Sequence, residues 1–490
     1  MWGLSLFLLG LSITTAVSDH ILLFHHVASY SHRVQTFPLA EELVKRGHEV
    51  TFLSPYYPKE PNPNITEIVP QKLAEYIVKE LDKDFEINLR VQHKMDQLKD
   101  KVYDLAYGAC EALFKSPEFK KWLKKTNKVD LVIIDNCMPD CGIGVAYKLE
   151  AKYALFSTVT VIGHEYDTIG FLPETSVIPE LEVYSQNTPL NFLERVSNEV
   201  NTLRWRWAHL QYSRKADLLI RKSLNVPKMP FIGDLFTNVS LVLYTGDTVT
   251  DYPRALPPLY VNIAGIHCKT PEKSSLPVNQ FFNTFKAFPN LKFLWKWNGE
   301  FPKDIPENVF LSRWFPQLDL LAHPRIRGFV TQSGRPSAME ALWNGVPMIA
   351  FPILGDQDFN ANRINQMGGN VKLEIGTVTS EQLIAAVNKL VYEPSMKLQI
   401  QKLQKIFRDR PMTPVDTAAW WTEYILRTED TSHLRPTGNH QYWFQRRQVD
   451  VWLFLFAVIL VSISPFVLLA FITARRVWKE MKGEMKLKAA

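Results

Sequence analysis

The segment from residue 329 to 357, FVTQSGRPSAMEALWNGVPMIAFPILGDQ, constrains the fold more than any other part of this chain. An apolar run at 328–331 stops at the polar turn Gln332-Ser333-Gly334. A helix is expected from Ser337 to Trp343, then a Gly345-Val346-Pro347 turn, a second apolar run at 348–351, and the pair Asp356-Gln357. Strand, glycine turn, helix and strand in this order is how α/β folds hold phosphates. The first N–H groups of a helix lack partners and carry partial positive charge, so an anion docks there. Ser337 with Glu340, and Asp356 with Gln357, are residue types that suit hydroxyl groups.

A chain of 490 residues suggests two or three domains. Its 46% hydrophobic and 12% aromatic content supports large cores and argues against disorder. The net charge of +6 is small for this length and lies largely in the C-terminal tail, so a nucleic-acid partner is not implied. Cys110, Cys137, Cys141 and Cys268 are too few for a disulfide scaffold, and none has convincing zinc spacing with histidines. Cys137 and Cys141 flank a loop and could bridge; unpaired buried thiols are the favoured expectation.

Both ends carry membrane signals. Residues 1–18 form a short apolar stretch ending Ala16-Val17-Ser18, which reads as a cleaved signal peptide with Asp19 as the mature N-terminus. Residues 451–473 are uncharged and exceed the ~20 residues that span a bilayer. Pro465 is expected to kink that helix. Arg475, Arg476, Lys479, Lys482, Lys486 and Lys488 follow, which puts the 474–490 tail in the cytosol and the bulk of the chain in a lumen. Lys486 and Lys488, five and three from the end, resemble the retrieval signal of endoplasmic reticulum membrane proteins. Asn64-Ile65-Thr66 and Asn238-Val239-Ser240 are glycosylation acceptors that fit a lumenal chain.

Between these ends, strands alternate with helices. Strands are expected at 20–26, 48–54, 130–135, 154–157 and 239–244, with His32 on a loop at 27–33 and a helix at 37–46 closed by Gly47. A long helix at 189–221 repeats Leu193, Val196, Val200, Leu203, Trp207 and Leu210 at helical spacing. That stripe reads as core with a solvated basic face, or as a bilayer-surface helix, the first being favoured. A second α/β block runs from about 261 to 370, with strands at 291–296, 309–311, 328–331 and 348–351; further helices extend through 391, and one lies at 417–427. The whole is an α/β chain of two Rossmann-like halves.

The segment at 329–357 resembles the signature of the UDP-glycosyltransferases, in particular their membrane-bound, glucuronosyltransferase-like animal branch. About a dozen positions agree in register. Arg313-Trp314-Phe315-Pro316-Gln317 resembles the W-x-P-Q of the same family, and Ser31-His32-Arg33 with residues 38–54 resembles its N-terminal pattern. The resemblance implies a GT-B fold, two Rossmann-like domains facing a cleft. An acceptor domain would occupy 19–255 and a donor domain 256–440, ahead of the membrane helix at 451–473. It implies transfer of a hexose or glucuronate from a UDP-sugar to small lipophilic acceptors, with inversion, as in detoxification. His32 would be the base and Asp135 the group that orients it. Trp314 would stack on uracil with Gln317 beside it, Glu340 would hold the ribose, Gln332, Gly334 and Ser337 would approach the phosphates, and Asp356 with Gln357 would grip the sugar. No metal or cofactor is called for, and an oligomer of like or unlike chains is compatible with it.

The resemblance breaks at three places. Gln332-Ser333 stands where the family has His-Gly, and Pro336 stands where small or polar residues are usual. After Ala264-Gly265-Ile266-His267, the chain runs through 270–275 almost directly into 276–288. About 30 residues, the size of a βα step, are expected there and would supply a central strand of the second sheet. Weak or absent turnover is the expectation, with a ligand- or partner-binding relative as the alternative.

Overall fold

The computed structural model describes residues 18–488 apart from 28, 59–60, 81–97, 127, 160–167, 173, 181–189, 248, 253, 269–278, 298–300, 302–304, 354 and 437–440. Residues 1–17 of the stretch 1–18 expected to be a signal peptide, and the junction at 269–278, therefore lie outside the described residues. Residues up to Arg435, apart from 170–172, form one compact unit, and 436–490 belong to a second.

The first half of the large unit runs β1 (His20–Phe24), α1 (Tyr30–Lys45), β2 (Glu49–Leu53), β3 (Ile65–Ile68), α2 (Gln71–Glu80), α3 (Leu98–Lys115), α4 (Pro117–Lys125), β4 (Leu131–Asp135), α5 (Asp140–Lys148), β5 (Lys152–Ser157), α6 (Phe192–Leu224), α7 (Ile232–Leu235), β6 (Val242–Tyr244) and β7 (Tyr260–Asn262). Its seven strands are parallel in the order β3-β2-β1-β4-β5-β6-β7. β1 (HILLF) and β4 (LVIID) are near-continuous apolar runs, as a strand covered on both faces requires. Strand order reverses between them, and ligands of open α/β sheets bind at the C-terminal ends of strands at such a switch point. The sheet takes in β7, beyond residue 255.

Two expectations for this half are corrected. His32 is not on a loop: α1 begins at Tyr30 and puts His32 in its first turn. Pro38 lies inside the helix, and a proline with its restricted predecessor conceals helical pattern upstream of it. The stripe on α6 is not core. Leu193, Val196, Val200, Leu203 and Trp207 are 43–74% exposed, whereas Asn198, Asn201, Thr202 and Ser213 are buried. Those polar groups face inward because neighbouring segments satisfy them. The Asn198 amide donates to the Thr175 and Ile178 carbonyls at 2.7 Å each, and Ser213 Oγ donates to Asp140 Oδ1 at 2.7 Å.

The cysteine expectation is also corrected. Cys110 on α3 is bonded to Cys141 on α5, their Cα atoms 6.0 Å apart, while Cys137 and Cys268 are not disulfide-bonded. The partner of Cys141 is 31 residues away in sequence, brought near by packing that spacing alone does not reveal.

The second half comprises α8 (Asn279–Lys286), β8 (Phe293–Lys296), β9 (Val309–Ser312), α9 (Gln317–Ala322), β10 (Phe329–Thr331), α10 (Arg335–Asn344), β11 (Met348–Ala350), α11 (Gln357–Gln366), β12 (Asn370–Lys372), α12 (Ser380–Tyr392), α13 (Pro394–Arg408) and α14 (Pro414–Arg427). Among the described residues its strands make two parallel sheets, β8-β9 and β10-β11-β12. They share one core, where Phe281, Phe285, Trp295, Ile349 and Phe351 meet. α14 returns to the first half. Ala418, Ala419 and Ile425 join its core, and Arg46 pairs with Asp416 and Glu423 at 3.1 and 3.3 Å.

In the second unit, α15 (Trp443–Arg446) precedes α16 (Val449–Lys488). Its span Val449–Trp478 is long and apolar enough to cross a bilayer. The helix is longer than 451–473, passing through Pro465 and on into the basic tail.

Candidate active site

The switch point of the first sheet holds a histidine–carboxylate pair. Asp135 is the last residue of β4, and its side chain is 2% exposed. His32 Nδ1 lies 2.7 Å from Asp135 Oδ2, so Nδ1 carries the proton that the carboxylate accepts and Nε2 is the basic nitrogen. Thr158, just past β5, completes the arrangement: its hydroxyl donates to Asp135 Oδ1 at 3.2 Å, and its oxygen lies 2.7 Å from His32 Nδ1. The Cys137 N–H also donates to Oδ1, at 3.3 Å. Burial works against charge on His32, but the carboxylate and its hydrogen bond outweigh it and hold the imidazole pKa above 6.5. Burial would raise Asp135; the facing His32, then His25 and the Cys137 N–H, keep it below 3.8.

The neighbouring histidines are not rivals. His25 Nδ1 stands 3.7 Å from Asp135, yet His25 and His26 are buried, and burial pulls each down to about 4, so both are neutral. His48 faces Asp19 and Glu423 at the far end of α1.

The candidate residues of the second half gather around α10. Gln317, first residue of α9, donates from Nε2 to Ser337 Oγ at 3.1 Å and to Glu340 Oε2 at 2.5 Å. Ser337 and Glu340 are three apart on α10 and so share a face. Burial pushes the Glu340 carboxyl up to about 7, against the Gln317 bond. His267 Nε2 is 3.8 Å from Glu340 Oε1, but burial pulls His267 down to about 4, so it faces Glu340 uncharged at neutral pH. Half-buried Trp314 follows β9, its backbone N–H and carbonyl both bonded to Ser312 Oγ. Gly334 caps α10, and a Cβ there would meet open space, which leaves room for an anion at the helix N-terminus. Asp356 caps α11 and accepts from Asn360 Nδ2 at 2.8 Å, while Gln357 Oε1 accepts from the Ile353 N–H at 2.7 Å. Burial raises the Asp356 pKa, opposed by Arg335, Asn360 and His32. Asp356 in turn adds to the upward pull on the His32 pKa.

Comparison with known proteins gives the family and the fold. The family described as "UDP-glucoronosyl and UDP-glucosyl transferase" matches residues 21–287 and 283–483. The chain belongs to this UDP-glycosyltransferase family. It is 27% identical to human UDP-glucuronosyltransferase 1A9 over 88% of this chain and 87% of that one. Mouse UDP-glucuronosyltransferase 1A7 is 28% identical, with 88% of each chain covered. Among solved structures, the glycotransferase of kitacinnamycin superposes with a TM-score of 0.55 at 20% identity, covering 83% of this chain and 99% of its own. The glycosyltransferase VinC in complex with DTDP gives 0.54 at 17%, covering 84% and 100%. The fold is therefore GT-B, and the chain is a glycosyltransferase that carries a helix long and apolar enough to cross a membrane.

In this UDP-glycosyltransferase, Ser333 stands where the resemblance implies a glycine, with a visible consequence. Ser333 adopts φ +61°, the left-handed region that glycine occupies freely and other residues enter at roughly 1–2 kcal/mol. It is pinned there by its N–H on Thr331 Oγ1 at 3.2 Å and by its carbonyl, which accepts from Asn360 Nδ2 at 3.0 Å. Three residues of the site escaped the sequence reading. Thr158 sits past a strand's C-terminal end, a place the switch-point rule singles out. Arg335 and Asp251 pair across 84 residues, with no local signal. Among the described residues no cluster of three or more His, Cys, Asp or Glu could hold a metal.

Proposed function

We propose that this glycosyltransferase moves a hexose or glucuronate from a UDP-sugar to small lipophilic acceptors, with inversion and without a metal or cofactor. The observation that carries the reading is the 2.7 Å His32–Asp135 pair at the switch point. In this reading His32 Nε2 takes the proton of the acceptor hydroxyl. The acceptor oxygen bonds to the anomeric carbon as the bond to the UDP oxygen breaks, and that electron pair leaves with UDP. Asp135 stabilises the imidazolium that forms. Trp314 stacks on uracil, Gln317 fixes the nucleoside, and Glu340 holds the ribose. Gln332, Gly334, Ser337 and the N-terminus of α10 meet the pyrophosphate charge. Asp356 and Gln357 hold the sugar.

We place the protein in the endoplasmic reticulum membrane, single-pass, with its catalytic halves lumenal and its basic tail cytosolic. Support comes from α16, from the Cys110–Cys141 bridge, which suits an oxidising compartment, and from Asn64 and Asn238, both exposed and available for glycosylation.

A second reading, a relative that binds ligands or partners with little turnover, draws on the strained Ser333 and on the donor half's division into two sheets. A screen of UDP-sugars against lipophilic acceptors, on membranes carrying the full chain, separates the two. Transfer from a UDP-sugar supports the first; UDP-sugar binding without any product supports the second.

A further inference from the structure

Arg335 is the first residue of α10, and its side chain is wholly buried. A guanidinium does not give up its charge, so burial demands carboxylate partners. Nη1 donates to Asp251 Oδ2 at 2.9 Å and Nη2 to Oδ1 at 3.3 Å, a two-pronged pair, and Nη1 lies 3.4 Å from Thr250 Oγ1. Nε stands 3.8 Å from Asp356 Oδ2. Arg335 thus lies between a carboxylate of the acceptor half and one of the donor half.

The acceptor-half segment it grips is itself fixed. Asp251 accepts the Tyr244 hydroxyl, and its backbone carbonyl accepts from Arg363 Nε at 2.9 Å. Tyr252 packs edge-on against Phe359, ring centroids 5.0 Å apart, with Arg363 over its ring. At the other end of the segment Asp247 pairs with Arg410 at 2.9 Å. Three arginines of the donor half hold one loop of the acceptor half, and Arg335 also reaches the carboxylate at the head of α11. Asn360 occupies the same oxygen of Asp356 that Arg335 faces, which leaves Oδ1 for a ligand hydroxyl.

We propose that Arg335 is a positioning residue of the transfer site. It ties the 247–252 loop of the acceptor half to α10 and Asp356 of the donor half, so that the donor sugar and His32 are held in one register across the cleft. The inference rests on the reading above that Asp356 faces the sugar. A planar fork is needed for it: a lysine at 335 keeps the charge but cannot face Asp251 with two N–H groups and Asp356 with a third.

The test uses the full chain, purified in detergent, as wild type, Arg335→Lys, and the Asp251→Asn/Arg335→Gln pair, which removes both charges. Hydrogen exchange at 247–252 and 356–360 reads the tie; UDP affinity and transfer kinetics read its use. In Arg335→Lys we expect exchange in both segments to rise about tenfold. UDP affinity should stay within about threefold while kcat falls by about tenfold or more. The neutral pair should remain folded and equally slow. Unchanged exchange in both segments overturns the proposal whatever the activity. So does a parallel loss of UDP affinity and turnover, which is what general destabilisation gives, or wild-type turnover in the neutral pair. A wild-type chain that binds no UDP, yet whose exchange responds in both segments, keeps the tie and refutes the transferase reading instead.

Discussion

His32 is useful only while its Nε2 is unprotonated, and its surroundings set when that is. Burial alone would lower its pKa; Asp135 and the bond to it reverse the sign and hold it above 6.5. A base with a raised pKa loses activity as pH falls through that raised value. The acid limb of the pH–rate profile should therefore lie above pH 6.5 in the wild type. Asp135→Asn removes most of what holds the pKa up and leaves burial opposed only by the weaker pull of Asp356, so the limb should move to lower pH while the rate at neutral pH falls by about 10²-fold or more. A limb that does not move would show that the pair is not the acid–base unit. This pair was legible in the sequence because both residues sit in motifs with fixed register. Thr158 and Arg335 were not, since each depends on a partner more than 80 residues distant, His32 and Asp251, that only folding supplies.

Legibility at the level of elements followed burial. β1 and β4 announce themselves as apolar runs, whereas β3 (ITEI) and β12 (NVK) are short and mixed, so nothing in their pattern separates them from loops. α6 was read inside out because its burial is decided by polar groups in the 175–180 segment and on α5, which a stripe of apolar residues does not reveal. The bridge between α3 and α5 yields a prediction. Such a link typically contributes ~2–4 kcal/mol, so Cys110→Ser should lower the thermal midpoint by several degrees and leave UDP affinity intact, the bridge being in the acceptor half. An unchanged midpoint would mean the link does not constrain the unfolded chain. In the donor half, β8 pairs with β9 and β10 with β11, with no strand joining β8 to β10 among the described residues. Inserting the family's strand segment between Lys269 and Ser274 should raise both the thermal midpoint and the transfer rate, because each buried unpaired backbone group costs ~1–3 kcal/mol. No gain in either would show that the two sheets are already complete.

In the molecule as a whole, two α/β halves are fastened to each other by α14 and by the loop around Asp251, on a chain that also carries a membrane-length helix. The proposed topology leaves only the basic tail outside a sealed vesicle. Protease added to intact microsomes should remove residues beyond about the end of the apolar span and leave the segment bearing Asn64 intact. Digestion of that segment would reverse the orientation. Assaying transfer and UDP binding side by side, on membranes carrying the wild type and membranes carrying His32→Ala, decides whether His32 works a UDP-sugar transfer site. Slow but measurable transfer is expected in the wild type, at least ~10²-fold less in the variant, and equal UDP affinity in both. Equal transfer rates in the two, or no UDP binding by either, would overturn that role.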